Sequence, residues 1–344
     1  MPQTRKLLIL RFSAMGDVAM VASVLQEFSV QHPGVELVMV SRPAFAPFFA
    51  DIPGLVFHAF HPKTTHKGIG GLFRLFRELL AYRPFAVADL HDNIRSRILC
   101  TFFRFAPVKI KRIDKGRAEK KALVRAGQNE LKPLKPTVER YASVFAGLGY
   151  PVKLSHRLQR KVRPLPEGAV AFFNQAAAGC IGIAPFAQHI HKMYSLSKMQ
   201  EVIEKLTALH YQVFIFGGGA EEQRIGDEWE KKITGVKNGI GKFTLKEELD
   251  IISHLDLMLS MDSSGMHMAS LMGVPVISVW GPTHPYAGFL GYGQLLEDCI
   301  QADHPARPTS IYGNKPCLCG DIPCMDLIRP SRIVDAVVKK MKYG

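Results

Sequence analysis

The chain has 344 residues, 47% of them apolar, which is enough for two domains of ordinary size with cores of their own. No run approaches the roughly 18 apolar residues of a membrane span, and Arg11 cuts Leu7-Leu8-Ile9-Leu10 too short for a signal peptide, so a cytoplasmic protein is expected. The net charge of +14, from 44 basic and 30 acidic residues, suits polyanionic partners, but no nucleic-acid recognition module interleaves base-reading and aromatic side chains, so no nucleic acid is expected.

Apolar strand-like runs alternate with helix-like stretches throughout, which predicts parallel α/β architecture. In the first half, residues 6–11 read as a strand, Ser13–Asp17 as a turn and 18–31 as a helix. Strands follow at 35–40, 56–60, 85–90 and 108–112, with helices at 45–51, 71–81, 94–103 and 137–148. Residues 150–166 are basic and proline-containing and read as a linker. The pattern then restarts with strands at 180–184, 212–216 and 255–261 and helices at 197–209, 221–233 and 246–253. A short helix and a further strand ending at Trp280 follow. The end, 330–342, is an amphipathic helix with Ile333, Val334, Val337, Val338 and Met341 at helical spacing. Two Rossmann-like halves predict a cleft between domains, where ligands commonly sit.

Polar residues collect where these strands end, and in open parallel sheets that edge binds ligands. Asp262-Ser263-Ser264-Gly265-Met266-His267 and Gly281-Pro282-Thr283-His284-Pro285 are the richest such loops. A carboxylate, two hydroxyls and a glycine at a helix start suit a phosphate or pyrophosphate. Arg11-Phe12-Ser13-Ala14-Met15-Gly16-Asp17-Val18 has a single glycine and is no dinucleotide fingerprint. It offers Asp17 at the sheet edge, either as a helix cap or as a functional carboxylate. Lys192 follows the first strand of the second half and is either a surface lysine or a counter-charge for phosphate. Gly217-Gly218-Gly219-Ala220-Glu221-Glu222 would let backbone approach a ligand, with an acid placed to bind ribose hydroxyls.

Cys317, Cys319 and Cys324 cluster near the end, but this is not a common zinc spacing and no fourth ligand is evident, so a structural turn is expected. Residues 104–125 hold nine Lys/Arg and two acids, a stretch that attracts anions or lies as a solvated basic face.

Taken in order, these pieces resemble glycosyltransferase family 9, the ADP-heptose:lipopolysaccharide heptosyltransferases. The resemblance rests on Ser13–Val18, on Asp89-Leu90-His91-Asp92-Asn93-Ile94-Arg95-Ser96, on Arg140-Tyr141 and on Lys192-Met193-Tyr194. It continues through Gly219-Ala220-Glu221, the two polar loops and the Pro316–Met325 tail. It implies a GT-B fold: an acceptor domain over 1–155, a nucleotide-sugar domain over 165–327, and a helix over 328–344 packing back on the first. It also implies inverting, metal-independent transfer of heptose from ADP-heptose to an inner-core sugar of the Kdo-lipid A type, with no cofactor. Asp17 matches the family's general base, Lys192 the pyrophosphate lysine, Glu221 the ribose acid and Asp262 the aspartate on the heptose hydroxyls. Ser263, Ser264 and Gly265 would cradle the diphosphate, with His267 supporting the loop. Ser13, Asn93, Arg95, Lys115 and Lys120 are the acceptor-side candidates. The basic segment suits an anionic glycolipid and contact with the inner membrane leaflet. The rivals are a transferase using another nucleotide sugar and a non-catalytic ADP-sugar-binding protein.

Overall fold

The computed structural model describes residues 5–126, 131–173 and 178–343, in two compact units. The first comprises Met1–Lys115 and Thr137–Ser155, the second Gly116–Pro136 and His156–Gly344.

The first unit is built on β1 (Arg5–Leu10), β2 (Val35–Ser41), β3 (Val56–Ala59), β4 (Pro84–Asp89) and β5 (Lys109–Arg112), all parallel, in the order β3-β2-β1-β4-β5. Leu7 to Leu10 are fully buried, as expected of a central parallel strand covered on both faces. Leu8 and Leu10 share a core with Leu72, Leu75 and Leu79 of α2 (Gly68–Leu80) and with Leu99 and Phe103 of α3 (Ile94–Phe103). Alternation turns Leu7 and Ile9 to the opposite face. α1 (Met15–Gln31) and α5 (Thr137–Ala146) pack on each other, Phe28 meeting Phe145 with ring centroids 5.0 Å apart. Strand order reverses between β1 and β4, so the loops after them, 11–14 and 90–93, lie side by side at the ligand-binding edge. Leu90 N–H donates to Leu10 O (3.1 Å) and joins them.

The second unit repeats the plan. Its strands are β6 (Cys180–Ala184), β7 (Gln212–Ile215), β8 (Val236–Asn238), β9 (Leu257–Met261), β10 (Val276–Trp280) and β11 (Cys299–Gln301). They are parallel in the order β8-β7-β6-β9-β10-β11. Here the reversal falls between β6 and β9. One core joins Ile181, Ile183, Leu257 and Leu259 to Val202 and Leu206 of α7 (Leu196–Ala208) and to Trp229 of α8 (Ala220–Lys232). α9 (Leu245–Ile252) and α10 (Ser264–Leu271) pack together.

Three features depart from the sequence expectation. The 116–136 segment, with its helix α4 (Arg117–Ala126), groups with the second unit rather than the first, and only Lys120 and Leu123 of that helix are buried. A short helix, α6 (Glu167–Phe173), lies directly after the 150–166 linker, where the sequence pattern marks no helix. The last helix, α11 (Pro330–Tyr343), also belongs to the second unit: Ile333, Val334 and Val337 are in that unit's core, against α7 and β9. The cysteine segment is a hairpin, β12 (Leu318–Cys319) with β13 (Ile322–Pro323), closed by Cys324 N–H on Cys317 O at 2.7 Å. Among the described residues no helix is long and apolar enough to cross a membrane.

Candidate active site

In the first unit Arg11 leaves β1 and turns inward, where it is nearly buried, and Nη1 donates to Leu90 O at 2.8 Å. Its Nη2 pairs with Asp17 Oδ2. The same carboxylate oxygen lies 3.4 Å from the Ala14 N–H, and Oδ1 faces the Tyr141 hydroxyl at 3.5 Å. Asp17 is thus both a cap on the first turn of α1 and a carboxylate oriented by a cation and a phenol. Its side chain keeps 25% exposure, against 8% for Arg11, so it is the member a substrate can reach. Burial works against the Arg11 charge, but Tyr141 and Asp17 offset it and the pKa is raised. Burial likewise pushes the Tyr141 phenol well above its ordinary range, so it stays a donor.

His91, in the adjoining loop, has its pKa lowered to about 3, first by burial and then by Arg11 and Lys115. It is neutral, and because Nδ1 accepts from Phe12 N–H (3.2 Å), its proton is assigned to Nε2. Asp89, fully buried at the end of β4, fixes this loop: Oδ1 accepts from His91 N–H (3.1 Å) and Asp92 N–H (2.9 Å). Its Oδ2 takes Ser96 Oγ (3.0 Å) and Arg112 Nε (3.2 Å).

In the second unit Lys192 stands on a 3₁₀ turn, Ile190–Lys192, after β6, and Asp262 directly follows β9. The strands are neighbours, and Lys192 Nζ meets Asp262 Oδ2 at 2.9 Å, with side chains 15% and 8% exposed. Asp262 N–H also donates to Val279 O (3.3 Å), tying the loop to β10. Ser263 is the N-cap of α10, but its side chain makes no cap bond; Ser264 opens the helix. Gly265 is required by packing, since a Cβ there would sit 2.4 Å from Ala184 Cβ. His267 is buried in the first turn of α10. The loop after β10 is held by Arg307, a buried side chain whose Nη1 and Nη2 donate to Ala302 O (2.6 Å) and Thr283 O (2.8 Å) while Nε binds Gly281 O.

The remaining candidates are scattered. Glu221 is exposed in the first turn of α8 and bonded to Arg224 (2.7 and 3.2 Å), whereas Glu222 folds back on Gly218 N–H (2.7 Å). Ser13 is partly buried in the β1–α1 loop and Arg95 is exposed on α3. Asn93 spends Oδ1 on the α3 cap, accepting from Ser96 N–H at 2.8 Å. Lys115 donates to Asp92 O (3.3 Å). Lys120 belongs to the second unit, buried over the Phe289 ring at 4.2 Å.

Sequence reasoning missed Arg11, Tyr141 and His91 as partners around Asp17, Gly313 against Lys192, and Arg307 under the loop after β10. A Cβ on Gly313 would lie 2.2 Å from Lys192 Cδ, and φ there is +79°. The visible signal was the Arg at a strand end; His91 and Tyr141 meet their partners across 79 and 124 residues of sequence and carry none. Among the described residues, no group of three or more His, Cys, Asp or Glu is arranged to hold a metal.

Residues 72–307 match the model of glycosyltransferase family 9 (heptosyltransferase). The chain belongs to glycosyltransferase family 9. This family-9 enzyme is 25% identical, over 82% of its length and 80% of the relative's, to the lipopolysaccharide core heptosyltransferase OpsX of Haemophilus influenzae. Among solved structures, a family-9 glycosyl transferase from Veillonella parvula superposes with a TM-score of 0.75 at 17% identity, covering 99% of this chain and 98% of that one. The E. coli heptosyltransferase WaaC with ADP gives 0.69 at 17% identity, covering 97% and 99%. These likenesses show the GT-B fold class.

Proposed function

We propose that this family-9 enzyme transfers heptose from ADP-heptose to a sugar of the lipopolysaccharide inner core, on an acceptor of the Kdo-lipid A type, with inversion and without a metal or other cofactor. The observation that carries this reading is that each unit places its matched residue at its own strand-order reversal: Asp17 in one, Lys192 with Asp262 in the other. The relatives named above, one a core heptosyltransferase and one holding ADP, support the choice of donor and acceptor.

The acceptor hydroxyl oxygen attacks the anomeric carbon from the face opposite the diphosphate. Asp17 takes the hydroxyl proton, the new glycosidic C–O bond forms, and the bond from C1 to the phosphate oxygen breaks. Negative charge builds on the departing ADP. Lys192 and the first-turn N–H groups of α10, behind Ser263, Ser264 and Gly265, meet it. Asp262 then turns from its lysine to the heptose hydroxyls, Glu221 exchanges Arg224 for the ribose, and His267 supports the α10 turn. On the acceptor side, Ser13, Arg95, Lys115 and the Asn93 amide line the loops around Asp17. Lys120, packed in the other unit, acts by holding the Phe289 segment.

The test is turnover of ADP-heptose with the delipidated acceptor sugar, with and without chelator, and the anomeric configuration of the product by NMR. Inverted product at an undiminished rate in chelator is expected. Retained configuration, or loss of rate restored by a divalent metal, would overturn the mechanism.

A further inference from the structure

The helix α2 carries two apolar stripes where a core needs one. Leu72, Leu75 and Leu79 fill the core, while Ile69 (69% exposed), Phe73 (49%) and Leu80 (38%) face water along a second stripe. The stripe continues onto α3. Phe73 meets Phe102 edge to face with centroids 5.5 Å apart, and Phe105, in the turn after α3, is 89% exposed. A large apolar patch of this kind marks an interaction surface.

Its surroundings are cationic. Residues 68–112 hold nine Arg and Lys against Glu78, Asp89 and Asp92. Asp89 and Asp92 are buried and paired with Arg112, and Glu78 is engaged by His58, His66 and Arg74. Among the described residues, Arg77, Arg104, Lys109 and Lys111 make no ion pair. A cavity of about 390 Å³, lined by Cys100, Val108 and Ile110 together with Arg104 and Arg112, lies on the same unit and is large enough for an anionic headgroup.

We propose that this face of the first unit docks on an anionic lipid bilayer, Phe73 and Phe105 entering the interface and Arg77 and Arg104 meeting the headgroups. The inference builds on the reading of the acceptor as a glycolipid, which must be taken from a membrane. An amphipathic helix with aromatic side chains on one side and arginines flanking them is what an interfacial site requires, and the sign of the charge selects an anionic surface.

The experiment is flotation of the full chain with phosphatidylglycerol-containing vesicles and with phosphatidylcholine vesicles, without donor or acceptor, at low and high salt. Binding to the anionic vesicles alone, weakened by salt, is expected. Arg77→Gln and Arg104→Gln should each weaken it about five-fold, and Phe73→Ser and Phe105→Ser about ten-fold each. All four variants should turn over the delipidated acceptor at the wild-type rate and lose rate on vesicle-embedded acceptor. Equal binding by wild type and variants, or no binding by wild type, overturns the surface. So does a wild-type dimer in sedimentation that Phe105→Ser converts to monomer, since a second copy would then cover the face. Vesicle binding without transfer from ADP-heptose would sink only the functional reading, and transfer without vesicle binding only this one.

Discussion

The Lys192–Asp262 pair allows stability and chemistry to be separated. At 2.9 Å and an effective dielectric near 20, the two charges attract by roughly 6 kcal/mol. Desolvation of both groups takes back most of that, so the pair as a whole contributes little net stability. Removing one partner is a different matter, because the other charge is left where water hardly reaches. For a fully buried pair that costs about 3–5 kcal/mol, and the residual exposure of Lys192 lowers it to about 2–3 here. Lys192→Met should therefore destabilise the second unit by about that amount in urea unfolding. It should also cut kcat/KM for ADP-heptose about 10- to 100-fold, the worth of one charged hydrogen bond to the diphosphate. In Lys192→Met/Asp262→Leu the buried charge is gone, and stability should return to within about 1 kcal/mol of wild type, while transfer stays lost. If the double variant is as unstable as the two single losses added together, the residues are not coupled and the donor-site geometry is misassigned. Wild-type kcat/KM in Lys192→Met would remove lysine from the diphosphate.

Asp17→Asn keeps shape and loses the base. Turnover should fall about 10²- to 10⁴-fold with donor affinity unchanged, measured by steady-state rates beside calorimetry; unchanged turnover would sink the assignment. Gly313→Ala puts a methyl against the Lys192 stem at positive φ, and should cost about 1–3 kcal/mol of local stability and weaken ADP-heptose binding. Wild-type affinity would show that the stem is free to move. His284, like His91, is neutral when folded: its pKa is lowered to about 4, by burial first and then by Arg307. The unfolded chain, at the ordinary 6.5, binds the proton more readily, so this stability is present above about pH 6.5 and is lost as pH falls toward 4. Between pH 6.5 and 5 each histidine should cost roughly 2 kcal/mol. Unfolding free energy against pH for wild type and His284→Gln checks this, and parallel curves would refute it.

The central strands and the polar loops at their ends were legible because they are local signals. Leu7 to Leu10 is an uninterrupted apolar run, and Asp262 follows one directly. The edge strands β8 and β11 have three residues each, too few for any period to register. α4 reads as a charged stretch because it buries only two side chains, and what assigns it to the second unit is long-range, including Lys120 over Phe289. The role of Asp17 as cap or base looked like a choice. In the folded chain one oxygen meets both Arg11 and the helix N-terminus, and the second faces Tyr141, 124 residues away. Glu221 and Glu222 were indistinguishable as adjacent acids; the difference is that Glu222 fills the space over Gly217 and Gly218, leaving Glu221 outside. Gly265 could be read as room for a phosphate, but the space it provides is taken by Ala184.

The most direct test of the donor assignment is a calorimetric titration of the purified protein, without added metal, with ADP-heptose, ADP-glucose, UDP-glucose and GDP-mannose. ADP-heptose should bind most tightly, and Lys192→Met should weaken it. Tighter binding of another nucleotide sugar, or of none, would contradict the heptosyltransferase reading.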